Sequence, residues 1–365
     1  MGNRESFLVL SFWFLVLDNG QSATQNSNLK SQVSPLLPHS PLPCFPSLLP
    51  CSPFSLSPPP LTPMPTPEAL KRKITTAEEL QSIVKTMKAL AAVNIRQYEH
   101  AVLSLSEHSR VLDLGLQALM IHHPDVLPAQ RPSLPRRVGL VVFGTDQGMC
   151  GRFNQQLVEF VNDRLERLGQ ANRDRGMAMP PPTVLAVGSR MADEFLATDQ
   201  SVEQSLSVPG SIGGVTALVQ SVVLQLEAWR QSGQVDHIWV FHNRPTREVA
   251  SAPTLLPLFP FSYLYLQKLQ KQPWPSRCRP QFTMASERLF SALFQQHFFL
   301  GLYRACAESL ASENASRLGA MQVAEKNIAE RLFDLKVTFQ QQRQDIITAE
   351  LLDIVAGFEA LADPG

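Results

Sequence analysis

Residues 144–151, with the sequence GTDQGMCG, contain the residue types that could bind a phosphate or carry a nucleophile. The glycines follow an apolar segment and precede an amphipathic one, which is where phosphate-binding loops lie in α/β proteins. Their spacing fits neither GxGxxG nor GxxxxGK[ST], however, and no lysine follows. We therefore predict that these glycines form a tight turn between a strand and a helix.

Two other groups of residues could do chemistry. Cys150 precedes a predicted helix, where a thiolate nucleophile would be favoured, but the spacing assigns it no histidine or acidic partner. We predict a small buried thiol there. The histidines, including His122 and His123, show neither HExxH nor another metal-ligand spacing. The sequence therefore predicts no catalytic site, no cofactor and no metal.

Two long amphipathic segments lie on either side of this turn. Apolar residues recur at steps of three and four from Leu70 to Leu105, and again from Leu318 to Phe358. The second segment belongs to a stretch without proline that begins near Met284. A helix of roughly 78 residues would be on the order of 115 Å long, which is too long for the core of a small domain.

Such helices at opposite ends of a chain can pair as an antiparallel coiled coil. The alternative is two independent core helices of a bundle, but a bundle would need further equally long partners. Between the two segments, strands at 137–143, 183–187 and 237–242 alternate with helices. This alternation, with one more strand after Asn243, is typical of a mainly parallel α/β sheet.

The predicted fold class is thus α/β, with a long antiparallel coiled coil of N- and C-terminal helices flanking a Rossmann-like, mainly parallel α/β domain. The predicted parts, in chain order, are an N-terminal helix at 64–123, the α/β domain at 136–260, a connecting loop at 261–283 and a C-terminal helix at 284–361.

Residues 1–63 differ in composition from the rest of the chain. An apolar segment at 7–17 is too short to span a bilayer as a helix, and the proline-rich tract at 34–67 is predicted to be disordered. Either this is a targeting segment with a linker, or the coding frame extends upstream of a true start at Met64. We favour the second interpretation, so these residues carry no weight in predicting location.

Charge and cysteine content exclude some classes of protein. The formal net charge is +0, so no electrostatic argument favours nucleic acid as a partner. The five cysteines form no CxxC pair. They therefore favour free thiols in a reducing compartment over a disulfide framework or a zinc site.

From Met64 onward the sequence resembles the gamma subunit of F-type ATP synthases. Three blocks carry the resemblance: LQSIVKTMKALAAVNIRQYEHAV at 80–102, TDQGMCGRFN at 145–154, and LYRACAESLASENASRLGAMQVAEKN at 302–327 with RQDIITAELLDIVAGFEAL at 343–361. The C-terminal block is the most specific. Arg152 and Phe153 depart from the small or aliphatic residues of the family's turn, which suggests a divergent branch.

The resemblance implies a non-catalytic rotor shaft that couples ion flow across a membrane to ATP synthesis or hydrolysis. The implied partners are the alpha and beta subunits of the catalytic head, the epsilon subunit and a membrane ring of c subunits. The implied location is peripheral, on the cytoplasmic face of the inner membrane, with no membrane span in this chain. Two other hypotheses are a coiled-coil-tethered α/β enzyme or nucleotide sensor, and a secreted interaction protein, which rests only on residues 1–63.

The resemblance also carries individual residues over to this chain. Contacts with the catalytic subunits are implied for Lys85, Met87, Glu313, Arg317, Arg343, Gln344, Thr348 and Glu350. The turn of the α/β domain is matched by Asp146, Gly148, Cys150, Gly151 and Asn154. Without the family, each charged residue on the helices would be interpreted as a solvated position on a coiled-coil flank.

Overall fold

The computed structural model describes residues 66–123, 135–198, 200–246, 251–278 and 280–362. The chain divides into two units between Ala69 and Leu70, and the fold below is that of the second unit. The predictions for residues 1–63, the apolar segment and most of the proline-rich tract, lie outside the described residues.

Two long helices confirm the prediction from apolar periodicity. Helix α1 is Pro67–His122, 56 residues, and helix α6 is Ser286–Ala362, 77 residues. Proline is tolerated in the first turn of α1 because its missing N–H would have no partner in the helix. The length of α6 corresponds to about 115 Å.

The two helices are antiparallel. Glu78 pairs with Lys336 at 2.8 Å, and Lys88 pairs with Glu325 at 2.6 Å. Asn94 Nδ2 donates to Asn314 Oδ1 at 3.4 Å. From one contact to the next, the α1 residue comes later in the chain and its α6 partner comes earlier, so the two helices run in opposite directions. Exposed ion pairs contribute little to stability, so the seam depends on its buried apolar side chains, which include Val84, Ala91, Tyr98, Met321 and Leu332.

A five-stranded sheet lies between these helices in the sequence. Its strands are β1 (Val138–Phe143), β2 (Thr183–Val187), β3 (Gln204–Leu206), β4 (His237–Arg244) and β5 (Ala252–Phe259). Their spatial order is β3-β2-β1-β4-β5. The first four are parallel and β5 is antiparallel to β4, so the predicted mainly parallel sheet is confirmed. The short strand β3 was not predicted.

Helices cover both faces of the sheet, because side chains alternate along each strand. On one face, Leu140 and Val142 pack against α2 (Phe153–Arg173) and α3 (Ser189–Leu196). On the other, Val141 and Phe143 pack with α4 (Val215–Gln231) and with the segment of α6 that contains Leu302, Cys306 and Leu310. Helix α6 therefore belongs both to the α/β domain and to the coiled coil.

The prediction of a connecting loop at 261–283 missed a helix. Helix α5 is Tyr263–Lys271, and the Ser262 side chain accepts a hydrogen bond from the Tyr265 N–H at its start. Leu266 and Leu269 pack against Leu116 and Met120 at the end of α1.

One described stretch, Ile212–Gln231, is long and apolar enough to cross a membrane by length and composition alone. It contains α4, whose apolar side chains Val219, Val222 and Trp229 are buried in the core on the sheet. We interpret it as a core helix.

Candidate partner-contact sites on the long helices

The turn after β1 is held by its own side chains. Asp146 Oδ1 accepts from the Ser189 N–H at 2.7 Å, and Oδ2 accepts from the Val208 N–H at 2.8 Å. One carboxylate thus joins the segments that follow β1, β2 and β3. Gly144 has no room for a side chain, since a Cβ there would lie 2.5 Å from Met191 Cβ. Gly151 has φ +65°, which favours glycine.

The Thr145 hydroxyl connects two further side chains of the turn. Asn154 Nδ2 donates to Thr145 Oγ1 at 2.9 Å, and Cys150 Sγ lies 4.0 Å from the same hydroxyl. Cys150 is buried, and burial raises the pKa of its thiol. A raised pKa disfavours the thiolate, so the expected structural thiol fits this position better than a nucleophile. In the structure, residues 144–152 thus connect β1 to α2 as a turn held by its own side chains.

An ion pair from α6 reaches this turn. Arg317 Nη2 donates to Glu313 Oε1 at 2.7 Å and to the backbone oxygens of Gln147 at 3.3 Å and Gly148 at 3.5 Å. Glu313 is 6% exposed and Arg317 is 8% exposed. Burial raises the pKa of Glu313, although Arg317 opposes the shift. The structure therefore joins two groups that the sequence analysis treated separately.

A second buried carboxylate joins α6 to the sheet. Glu308 Oε2 lies 3.0 Å from His242 Nε2 on β4, and Oε1 accepts from Arg304 Nε at 2.9 Å. Burial alone would raise the pKa of Glu308, but the hydrogen bonds from His242 and Arg304 outweigh it and hold that pKa below the ordinary value. No motif or spacing in the sequence predicts this group as a whole. The only local signal was the spacing of four residues between Arg304 and Glu308.

The C-terminal part of α6 is fully exposed. Every described side chain from 343 to 358 is exposed, including the predicted contact residues Arg343, Gln344, Thr348 and Glu350. The same stretch exposes large apolar side chains, with Leu352 64% and Phe358 72% accessible. A concentration of exposed apolar groups marks a surface that contacts another macromolecule.

The two predicted contact residues on α1 differ in exposure. On α1, Lys85 is exposed and Met87 is half-buried.

Comparison with known proteins gives consistent matches that include both long helices and the α/β domain. The sequence model described as ATP synthase matches residues 66–361. The chain belongs to the ATP synthase gamma family. An ATP synthase gamma chain of Moorella thermoacetica is 26% identical over 295 residues, 80% of this chain and 98% of that protein. One of Buchnera aphidicola is 22% identical over 294 residues, 80% of this chain and 97% of that protein.

A solved structure supports the fold of this gamma-family chain. The match is a chain of the Euglena gracilis mitochondrial ATP synthase, in a structure of OSCP, F1 and the c-ring, with a TM-score of 0.51 and 18% identity. It covers 81% of this chain and 94% of that one. Family membership gives the chain its function, which is that of the gamma subunit in the central rotor stalk of an F-type ATP synthase. The alternative of a tethered enzyme or nucleotide sensor is not favoured.

The eight predicted contact residues of the gamma-family chain differ in exposure, and Met87 is half-buried. Lys85, Arg343, Gln344, Thr348 and Glu350 are exposed, as a contact with another subunit requires. Glu313 and Arg317 are instead enclosed by the turn of their own chain. Contact of any of these residues with a catalytic subunit stays a prediction. Within the described residues, no group of three or more potential ligands could hold a metal ion.

Proposed function

We propose that this chain is the non-catalytic rotor of its complex, peripheral to the membrane on its cytoplasmic face. The paired helices α1 and α6 contact the alpha and beta subunits, and the α/β domain contacts the epsilon subunit and the ring of c subunits. Ion flow turns the ring and this chain with it, and the turning helices change the state of each catalytic site. Because coupling is reciprocal, ATP hydrolysis drives the same rotation in reverse.

The observation that supports this role is the single helix α6. It packs on the sheet around Leu302–Leu310 and pairs with α1 as far as Lys336. It then continues through the exposed stretch that contains Arg343 and Gln344. A rotor needs this arrangement, since a rotation imposed at the sheet must reach a distant surface without a flexible joint.

The matched Euglena structure was solved with F1 and a c-ring, and this supports the same classes of partner here. The test is to purify the complex through a tag on this chain, then to compare Arg343→Ala/Gln344→Ala with Arg175→Ala. Arg175 is exposed in the α/β domain and serves as the control.

We expect all variants to assemble with alpha and beta subunits, and the double variant alone to lose ATP turnover or ion pumping per ATP. Failure of the parent chain to copurify with these subunits would refute the proposed partners. Full turnover and coupling in the double variant would show that Arg343 and Gln344 are solvated residues of the helix with no functional contact.

A further inference from the structure

A cavity of about 510 Å³ lies where β4 and β5 meet α1, α5 and α6. This volume is within the range of about 300–1,000 Å³ typical of small-molecule sites. Nothing in the rotor function assigns a ligand to it. Its lining combines a few charged side chains at one end with apolar side chains along its length.

The charged end has an excess of positive charge. The guanidinium groups of Arg244 and Arg304 both approach Oε1 of Glu308, at 3.7 and 2.9 Å. The other carboxylate oxygen is occupied by His242. One carboxylate therefore faces two cations. Each guanidinium carries five N–H donors, and among the described residues only Arg304 Nε is used in a hydrogen bond. Free, partly exposed guanidinium donors match carboxylate and phosphate oxygens.

The rest of the cavity fits the uncharged, apolar part of a ligand. Its apolar lining includes Leu256, Phe261 and Leu300. Asp113 also lines the cavity, but its Oδ1 accepts the Tyr265 hydroxyl at 2.6 Å. His297 Nδ1 is buried without a hydrogen-bond partner, and burial lowers the pKa of His297, which favours the neutral ring. A second anionic group would face Asp113 with no free cation beside it.

We propose that this cavity binds a small amphiphile with one phosphate or carboxylate headgroup. The headgroup contacts Arg244 and Arg304, and the apolar body lies along Leu256, Phe261 and Leu300. The same chemistry is present in acidic lipids and in soluble phosphate or carboxylate esters, so the test must distinguish these sources. The proposal is independent of which subunits the rotor contacts.

The test is calorimetric titration of the full chain with octyl phosphate below its micelle concentration, with octanol and inorganic phosphate as separate probes. We expect saturable binding of octyl phosphate, at least tenfold tighter than that of either fragment. Arg244→Met keeps an unbranched apolar stem but removes the donors, and should weaken binding at least tenfold. Arg190→Met is the matched control, because Arg190 is an exposed arginine on α3, which packs on the other face of the sheet.

A second variant guards against an indirect effect of Arg244→Met. Thr254→Trp places a large side chain into the cavity from the edge strand β5, and it should also abolish octyl phosphate binding while Arg190→Met binds normally. Vesicles containing phosphatidic acid then identify the source. Sedimentation with vesicles that depends on Arg244 indicates a lipid, and its absence indicates a soluble amphiphile.

Three results would overturn the proposal. One is the absence of saturable octyl phosphate binding. Another is binding that survives both Arg244→Met and Thr254→Trp. The third is inorganic phosphate binding as tightly as octyl phosphate, which would reduce the site to a simple anion contact without a role for the apolar lining.

Discussion

Two buried glutamates on α6 should lose different amounts of stability on the same substitution and should differ in the sign of their pH dependence. Glu308 and Glu313 are 5% and 6% exposed and lie little more than one helical turn apart. Hydrogen bonds from His242 and Arg304 hold the pKa of Glu308 low, whereas burial dominates at Glu313 and raises its pKa. Neutralising each side chain as glutamine keeps its size, so the comparison isolates the charge.

The expected magnitudes follow from the contacts. Glu308→Gln removes the charge from two hydrogen bonds, of 3.0 and 2.9 Å, and such charged bonds contribute about 1.5–3 kcal/mol each. Glutamine retains one acceptor, and Arg304 is partly exposed and can be solvated, so we expect a loss of about 2 kcal/mol. Glu313→Gln keeps an acceptor for Arg317 and removes a poorly solvated charge. The raised pKa of Glu313 already includes the attraction of Arg317, so neutralising Glu313 should cost less stability than neutralising Glu308.

The pH dependence has opposite signs at the two positions. The stabilising contribution of Glu308 is complete above the unfolded-state pKa of about 4.3 and is lost as pH falls through its lower folded-state pKa. Glu313 instead destabilises the fold above its raised pKa. As pH falls through that pKa towards about 4.3, the folded state takes up the proton first and gains stability.

The assay is urea unfolding of the full chain followed by circular dichroism, at pH 7 and at pH 5, for the parent and both variants. At pH 7 Glu308→Gln should lower the free energy of unfolding more than Glu313→Gln. As pH falls to 5, the parent should gain stability relative to Glu313→Gln. Equal losses for the two variants at pH 7 would refute the assignment of a favourable charge at 308 and an unfavourable one at 313.

Three other predictions test the pairing of the long helices and the expected lack of ATP hydrolysis by the isolated chain. Glu325→Lys should weaken the helix pair slightly, because it places like charges beside Lys88. Lys88→Glu in the same chain should restore unfolding stability. Leu332→Asp should prevent assembly, because losing such apolar burial costs about 2–5 kcal/mol and the buried charge adds to that cost. Assembly at parent levels would contradict the placement of Leu332 between the two helices. The isolated chain should not hydrolyse ATP, as measured by phosphate release.

The parts of the fold that the sequence predicted have strong local patterns. Helix α6 carries one apolar periodicity over many turns, and a pattern of that length has few alternative interpretations. The strand β1 is an apolar run with β-branched residues, bounded by a glycine turn. Family resemblance then supplied an expectation that periodicity could not, namely that the exposed end of a helix contacts other subunits.

The parts that were missed depend on contacts between distant residues. Strand β3 has three residues, too few for a periodic pattern. Helix α5 lies in a proline-rich stretch, and its apolar side chains gain a partner only when α1 ends beside them. The pair of His242 and Glu308 is separated by 66 residues in the chain. No spacing rule connects a strand to a helix over such a distance.

The two carboxylates of α6 suggest why the rotor needs polar groups in its core at all. Apolar contacts between α6 and the sheet are strong but not directional, so they resist separation more than rotation of the helix about its axis. Hydrogen bonds require a fixed geometry. Glu308 fixes α6 to β4 through His242, and Arg317 fixes it to the turn after β1 through two backbone oxygens. One contact lies on β4 and the other on the turn that follows β1, and these two strands are neighbours in the sheet. A torque applied to the sheet therefore meets directional contacts at two separate points of the helix, and the same helix carries it to the exposed residues beyond Lys336.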